Sequence, residues 1–436
     1  MVGIVLMGAM YLSSPFHRVP NEDSQTETLA AATDTRSVVF SDLAFRDDNA
    51  IYSYQNPRPL PALQPAKTIN VDTAGQLVKA LSTLRTGQTI RLAPGVYELA
   101  GLTDGLYVPE GISDWAIRGA TGNRSDVVIK GAGLTGSVRF GFWIGASTGG
   151  TIADLTIDGV RDHGIIANPG AHNLLIHNLR IIDSGDQFVK SSPNSSGVGN
   201  NNGVVEYSVF EYRTTDNNNY TNGVDVHGGK GWIVRYNLFK NFLSPPRQGL
   251  AGPAVLMWRG SKDSIIEANT FINVARGISL GLDDLESGFD HEGGAIQNNM
   301  FYRDARLSSS VDVPILVADS PGTKIYHNTI IARGSYSNAI EYRFASAAGV
   351  VIKNNLTDGA IQARDGATGI VAGNVTKADL KLFVNPAAGD LHLIPRARTI
   401  DQGVAIRGLT TDFDGQTREI PFDVGADEYI ADNPQP

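Results

Sequence analysis

Residues 221–239 read TNGVDVHGGKGWIVRYNLF and set a carboxylate, an imidazole and an amine close together, as Asp225, His227 and Lys230 around Gly228, Gly229 and Gly231. These residue types suit proton transfer. An imidazole titrates near neutrality, an amine among other cations releases its proton more easily, and a carboxylate orients either group. The glycines leave room for a ligand against the backbone, or they mark a tight corner. Further on, MWRGSK supplies Trp258, Arg259 and Lys262, and the arginine fork is suited to gripping a planar carboxylate through two hydrogen bonds. The chemistry this suggests is proton transfer on a bound ligand, with Lys230 or His227 as candidate base and Arg259 as a candidate clamp for an anionic group.

The elements that must position these groups are visible as a repeat. LLIHNLRI, WIVRYNLF, IIEANTF, AIQNNMF, KIYHNTI and VIKNNL are short runs of alternating apolar residues, most of them carrying an Asn followed by another apolar residue. Aligned, they give a column of Asp154, Asn178, Ser208, Asn237, Asn269, Asn299, Asn328, Asn355 and Asn374, at intervals of 24, 30, 29, 32, 30, 29, 27 and 19 residues. Coils of that length, rich in Val, Ile, Asn and Gly, predict a parallel β-solenoid rather than a leucine-rich repeat. Stacked amides in such a column satisfy the backbone and one another, so a structural role is expected for it. A helix at 73–84, with Leu77, Val78, Leu81 and Leu84 on one face, is expected to cap the N-terminal end, and TIRLAPGVYEL to form the first coil. The predicted fold is therefore all-β: a single-stranded, right-handed parallel β-helix with an N-terminal capping helix.

A second strand in each coil (GIIAN, NGVDVHGG, AVLMWRGS, GISLGLDD, PILVADS, AIEYRFA, AIQARDG) carries the chemistry. With Val224 and Val226 inward, Asp225 and His227 face out; with Leu256 and Trp258 inward, Met257 and Arg259 face out. That register places Lys190, His227, Arg259, Arg343 and Arg364 in one outward row, beside a second row of Asp225, Glu341 and Gln362. Coils about 4.8 Å apart would bring His227 and Arg259 within reach of one sugar unit. The row is either a groove for an acidic polymer or a solvated charge ladder. Lys190, Arg343, Arg364, Glu341 and Trp258 are the expected substrate contacts. Asp283 with Asp284, and Asp412 with Asp414, are expected to be turns.

The chain of 436 residues carries a net charge of -9, which argues against a nucleic-acid partner, and its lack of cysteine removes disulfides and thiolate chemistry. The apolar run 2–12 is of signal-sequence length and too short for a membrane span. We expect a signal-like segment at 1–19, a leader or linker at 20–66, the β-helix at 67–389 and a closing segment at 390–436, in a secreted or periplasmic monomer.

The coils over about 68–385 resemble those of the pectate-lyase-like superfamily. The Lys-then-Arg arrangement on neighbouring coils is similar to polysaccharide lyase family 6, the alginate lyase and chondroitinase B group. That resemblance implies β-elimination on a uronic acid-containing polysaccharide, with Lys230 as base, Arg259 as acid, and a calcium ion for which Asp225 would be a ligand. The run NGVDVHGGKGWIVRYN also resembles the calcium-binding strand of pectate lyase family 1, but Val234 and Arg235 stand where that family has Asp and His. The closing run TTDFDGQTREIPFDVGADEY looks like that of many exported β-helix proteins. Alternatives on the same scaffold are a glycoside hydrolase or epimerase, and a non-enzymatic glycan-binding surface protein.

Overall fold

The computed structural model describes residues 53–431, apart from 215–218, 246–247 and 305–309. The expected signal-like segment and the leader up to residue 52 lie outside them. Strand after strand pairs in parallel with its counterpart one coil away, building a right-handed parallel β-helix. Two of its faces merge into a 20-stranded sheet through the long strands Thr151–Val160 and Leu175–Ser184, and the third face is a separate 10-stranded sheet. Apolar alternation drives this packing. Val224, Val255, Ile278, Ile315 and Ile340 align in one buried inward column, and Phe210, Phe239, Phe271 and Phe301 stack through the coil interiors with ring centroids 5.0, 5.0 and 4.4 Å apart. Each such side chain removed from water contributes about 1.5–3 kcal/mol.

The cap is the helix Ala74–Ser82. The Thr73 hydroxyl accepts the Gln76 N–H at its N-terminus, and Leu77, Ala80 and Leu81 are buried while Val78 is exposed. The solenoid starts before this helix, because Thr68–Val71 already pairs with Thr89–Leu92. TIRLAPGVYEL is thus not the first strand-bearing segment.

The amide column forms a continuous ladder. Each side-chain amide donates to the next coil's carboxamide oxygen from Asn237 through Asn269, Asn299, Asn328 and Asn355 to Asn374, at 2.9–3.0 Å. Its first two members are out of register. Strand pairing aligns Arg180 with Val209 and His177 with Glu206, so Ser208 stands opposite Leu179, and Asn178 opposite Tyr207. Asn178 and Asp154 bond to each other one position earlier, in left-handed turn conformations with φ of 53° and 61°. The equal look of Asn178 and the later asparagines hid a one-residue offset.

The closing segment packs back along these corners. Gly425 N–H donates to Asn354 O, Ala426 N–H to the Thr329 hydroxyl, Asn298 to Thr411 O, and the buried Arg418 reaches Asn298 and Glu428. No helix among the described residues is long and apolar enough to cross a membrane.

Candidate active site

The 10-stranded sheet positions the candidate chemistry. Its register aligns Lys190 with Asp225 and Leu256, and His227 with Trp258. Asp225 and His227 face outward as expected, and the inward Val224 and Val226 are fully buried. The next strand, Val255–Trp258, differs from the sequence expectation by one residue. Val255 and Met257 fill the interior, while Leu256 and Trp258 face out. A large aromatic invited an inward assignment, but Val255 pairs with Val224, and that choice inverts every side chain on the strand. Arg259 therefore lies one position past the row it was assigned to, and Trp258 takes its place. Lys190 belongs to the Asp225 row, not to the His227 row.

These shifts build a compact cluster. The Lys190 ammonium donates to Asp225 Oδ2 at 2.5 Å and meets His227 Nε2 at 2.7 Å, while His227 Nε2 is 3.3 Å from Asp225 Oδ1. Trp258 Nε1–H donates to the same Oδ1 at 2.9 Å, and its ring meets the imidazole edge-to-face with centroids 4.8 Å apart. The Arg259 guanidinium lies 4.5 Å from the centre of the Trp258 ring and pairs with Asp283 at 3.1 Å. Asp225 is only 1% exposed. Burial alone would raise its pKa, but Lys190 and His227 outweigh it and hold the carboxyl well below the usual range. Nε2 of His227 thus lies against both the Lys190 ammonium and the Asp225 carboxylate.

Two further groups complete the surroundings: Tyr220, which sequence reasoning offered as an aromatic sugar contact, and His163, to which it gave no role. His163 begins the strand His163–Ala167 two coils earlier and stacks on Phe140. Burial, then the Lys190 charge, push its imidazole down to about 4. Tyr220 presents an exposed ring, yet its hydroxyl is bonded to Gln187; burial raises the phenol and Lys190 opposes that rise. Only the stacking of coils joins these two to Lys190. A hint existed in the polar first residue of an otherwise apolar GIIA strand.

Other expected site residues are placed elsewhere. Lys230 is exposed beyond the Gly228–Gly229 turn, bridged in parallel to Lys262, whose ammonium pairs with Glu292. The glycines there close a corner: a Cβ on Gly228, at φ 63°, would stand 2.3 Å from Gly197 O, and one on Gly229 2.6 Å from Asn200 O. Arg343 does share the His227 row but pairs with Asp365 at 2.7 Å, and Arg364 with the buried Glu341 at 2.8 Å. What looked like a cationic groove is a set of matched ion pairs.

The calcium expected at Asp225 does not fit the residues present. Its two oxygens already accept from the Lys190 ammonium and the Trp258 indole N–H, and a cation there would face Lys190 at close range.

No protein-family model and no curated protein matches the chain. Among solved structures it is similar to an alginate lyase from a Paenibacillus species, 15% identical with a TM-score of 0.45 over 70% of this chain and 100% of that one. It is also similar to pectate lyase Pel9A, 14% identical, TM-score 0.48, covering 81% and 90%. A third likeness is to PfbA, a surface adhesin of Streptococcus pneumoniae, 13% identical, TM-score 0.45, covering 68% and 83%. Likeness at this level extends to the β-helix and no further.

Proposed function

We propose that this protein cleaves an acidic polysaccharide by β-elimination on the outward face of the 10-stranded sheet. The observation that carries the reading is the Lys190–His227 contact of 2.7 Å over a buried, ionised Asp225. Elimination needs a group that takes the proton beside the sugar carboxylate and a cation that steadies the resulting negative charge. His227 and Lys190 share the proton, with Asp225 fixing their geometry. Arg259 receives the sugar carboxylate, because its pair with Asp283 is nearly half exposed on both sides and therefore weak enough to exchange. The same His227–Lys190 pair returns the proton to the departing glycosidic oxygen, and the C4–O bond breaks as the C4–C5 double bond forms.

A hydrolase reading is less favoured. Two carboxylates flanking a bond are its usual requirement, and here Asp225 is buried and bonded to Lys190 and Trp258 while Asp283 is paired with Arg259.

The test is to incubate the purified protein with alginate, pectate, chondroitin and hyaluronan, with and without calcium, and follow the ultraviolet absorbance of the unsaturated product. A rise on one of these polymers, independent of calcium, is expected. New reducing ends without that absorbance would replace elimination with hydrolysis, and binding with neither signal would make the surface a glycan-binding one.

A further inference from the structure

A second group of titratable side chains lies far from the 10-stranded sheet, in the closing segment. His392, fully buried on the strand Asp390–Leu393, contacts Asp390 Oδ1 through Nδ1 at 2.6 Å and Asp414 Oδ2 through Nε2 at 2.9 Å. Asp427 is 1% exposed. One of its oxygens accepts the Leu393 N–H at 2.7 Å, and the other, Oδ1, is buried without any hydrogen-bond partner. One donor atom from each of His392, Asp414 and Asp427 lies within 4.8 Å of the others. Asp412 shapes the loop, accepting the N–H groups of Asp414, Gln416 and Glu428.

A buried carboxylate oxygen left without a partner costs free energy, and the nearby positive charge is already committed. The Arg418 guanidinium is held by Glu428, Asn298 and the carbonyls of Gly425 and Ala426.

We propose that His392, Asp414 and Asp427 form a structural site for a divalent metal ion of the zinc or manganese class. Nε2 of His392 and one oxygen from each aspartate are the ligands, and Asp390 keeps the imidazole proton on Nδ1, the usual arrangement of a carboxylate behind a metal-bound histidine. A nitrogen with two carboxylates suits these ions better than calcium, which prefers a larger set of oxygens. The ion would tie the strand bearing His392 to the loop bearing Asp414 and Asp427, which is docked on the coils through Asn298, Thr329 and Asn354. This site is independent of the reading of the Asp225 cluster.

Protein purified without metal-affinity resin or chelators is analysed for bound metals by mass spectrometry, then stripped with EDTA and titrated with Zn²⁺, Mn²⁺ or Ca²⁺ while thermal unfolding is recorded. About one equivalent of metal, a lower Tm after EDTA, and recovery with Zn²⁺ or Mn²⁺ are expected. Asp427→Asn and His392→Gln should lose the response, whereas Asp225→Asn should keep it. A stripped wild-type protein whose Tm moves with none of the three ions, or with Ca²⁺ alone, would overturn the proposal; because this arm uses the unmodified chain, it stands even if a variant fails to fold.

Discussion

The Asp225 and His392 clusters are built from the same residue types with opposite balance. Around Asp225 one carboxylate is enclosed by an ammonium, an imidazole and an indole N–H. Around His392 one imidazole is enclosed by carboxylates of Asp390 and Asp414, with Asp427 alongside. The consequences follow in the titrations. Near the first cluster burial and Lys190 depress His163 to about 4, while at the second the bonds from Asp390 and Asp414 overcome burial and hold His392 well above its ordinary value. The teaching is that counting histidines and aspartates says little; which charge is in the minority decides how the groups of each cluster titrate.

Several substitutions would break or sharpen that contrast. The largest effect is expected from Lys190→Met, which leaves Asp225 buried without its cation and should cost about 3–5 kcal/mol in a urea-unfolding measurement. The double variant with Asp225→Asn should recover part of it, and no recovery would mean that the pair is not a unit. Next comes pH. His163 stays neutral in the fold down to about pH 4 but takes up a proton near 6.5 when unfolded, so its contribution is fully present above pH 6.5 and lost as pH falls towards 4. In urea unfolding followed across that window, His163→Phe should flatten the slope. A smaller change is expected for Arg259→Ala: a KM raised about tenfold with kcat less affected, since a single charged hydrogen-bonding group is lost from binding. The smallest belongs to Lys230→Ala, which should shift stability by less than about 0.5 kcal/mol and leave activity unchanged, as its side chain stands exposed beyond the turn.

Much of the scaffold was legible from period alone. The alternation around Val224 and Val226 gave the outward Asp225 and His227 directly, and the recurring asparagines gave the ladder from Asn237 onward. Register between coils was harder to read, because pairing is decided by partners about thirty residues away and a shift of one reverses a strand. That is why the sequence pattern turns Trp258 inward and puts Arg259 and Lys190 in the wrong row. The closing segment was harder still. Asp412 does form the turn expected of it, but nothing in the spacing of Asp414 and His392, 22 residues apart, reveals that they meet. Such contacts belong to irregular chain, where no period repeats.

The central claim is that proton transfer belongs to the His227–Lys190 pair over Asp225. Its most direct test is the rate of unsaturated-product formation by wild type, His227→Ala and Lys230→Ala on whichever polymer the protein cleaves, with folding checked by circular dichroism. We predict a loss of roughly 10²–10⁴-fold for His227→Ala and a wild-type rate for Lys230→Ala. An active His227→Ala beside an inactive, folded Lys230→Ala would contradict the account and move the base to the other side of the glycine turn.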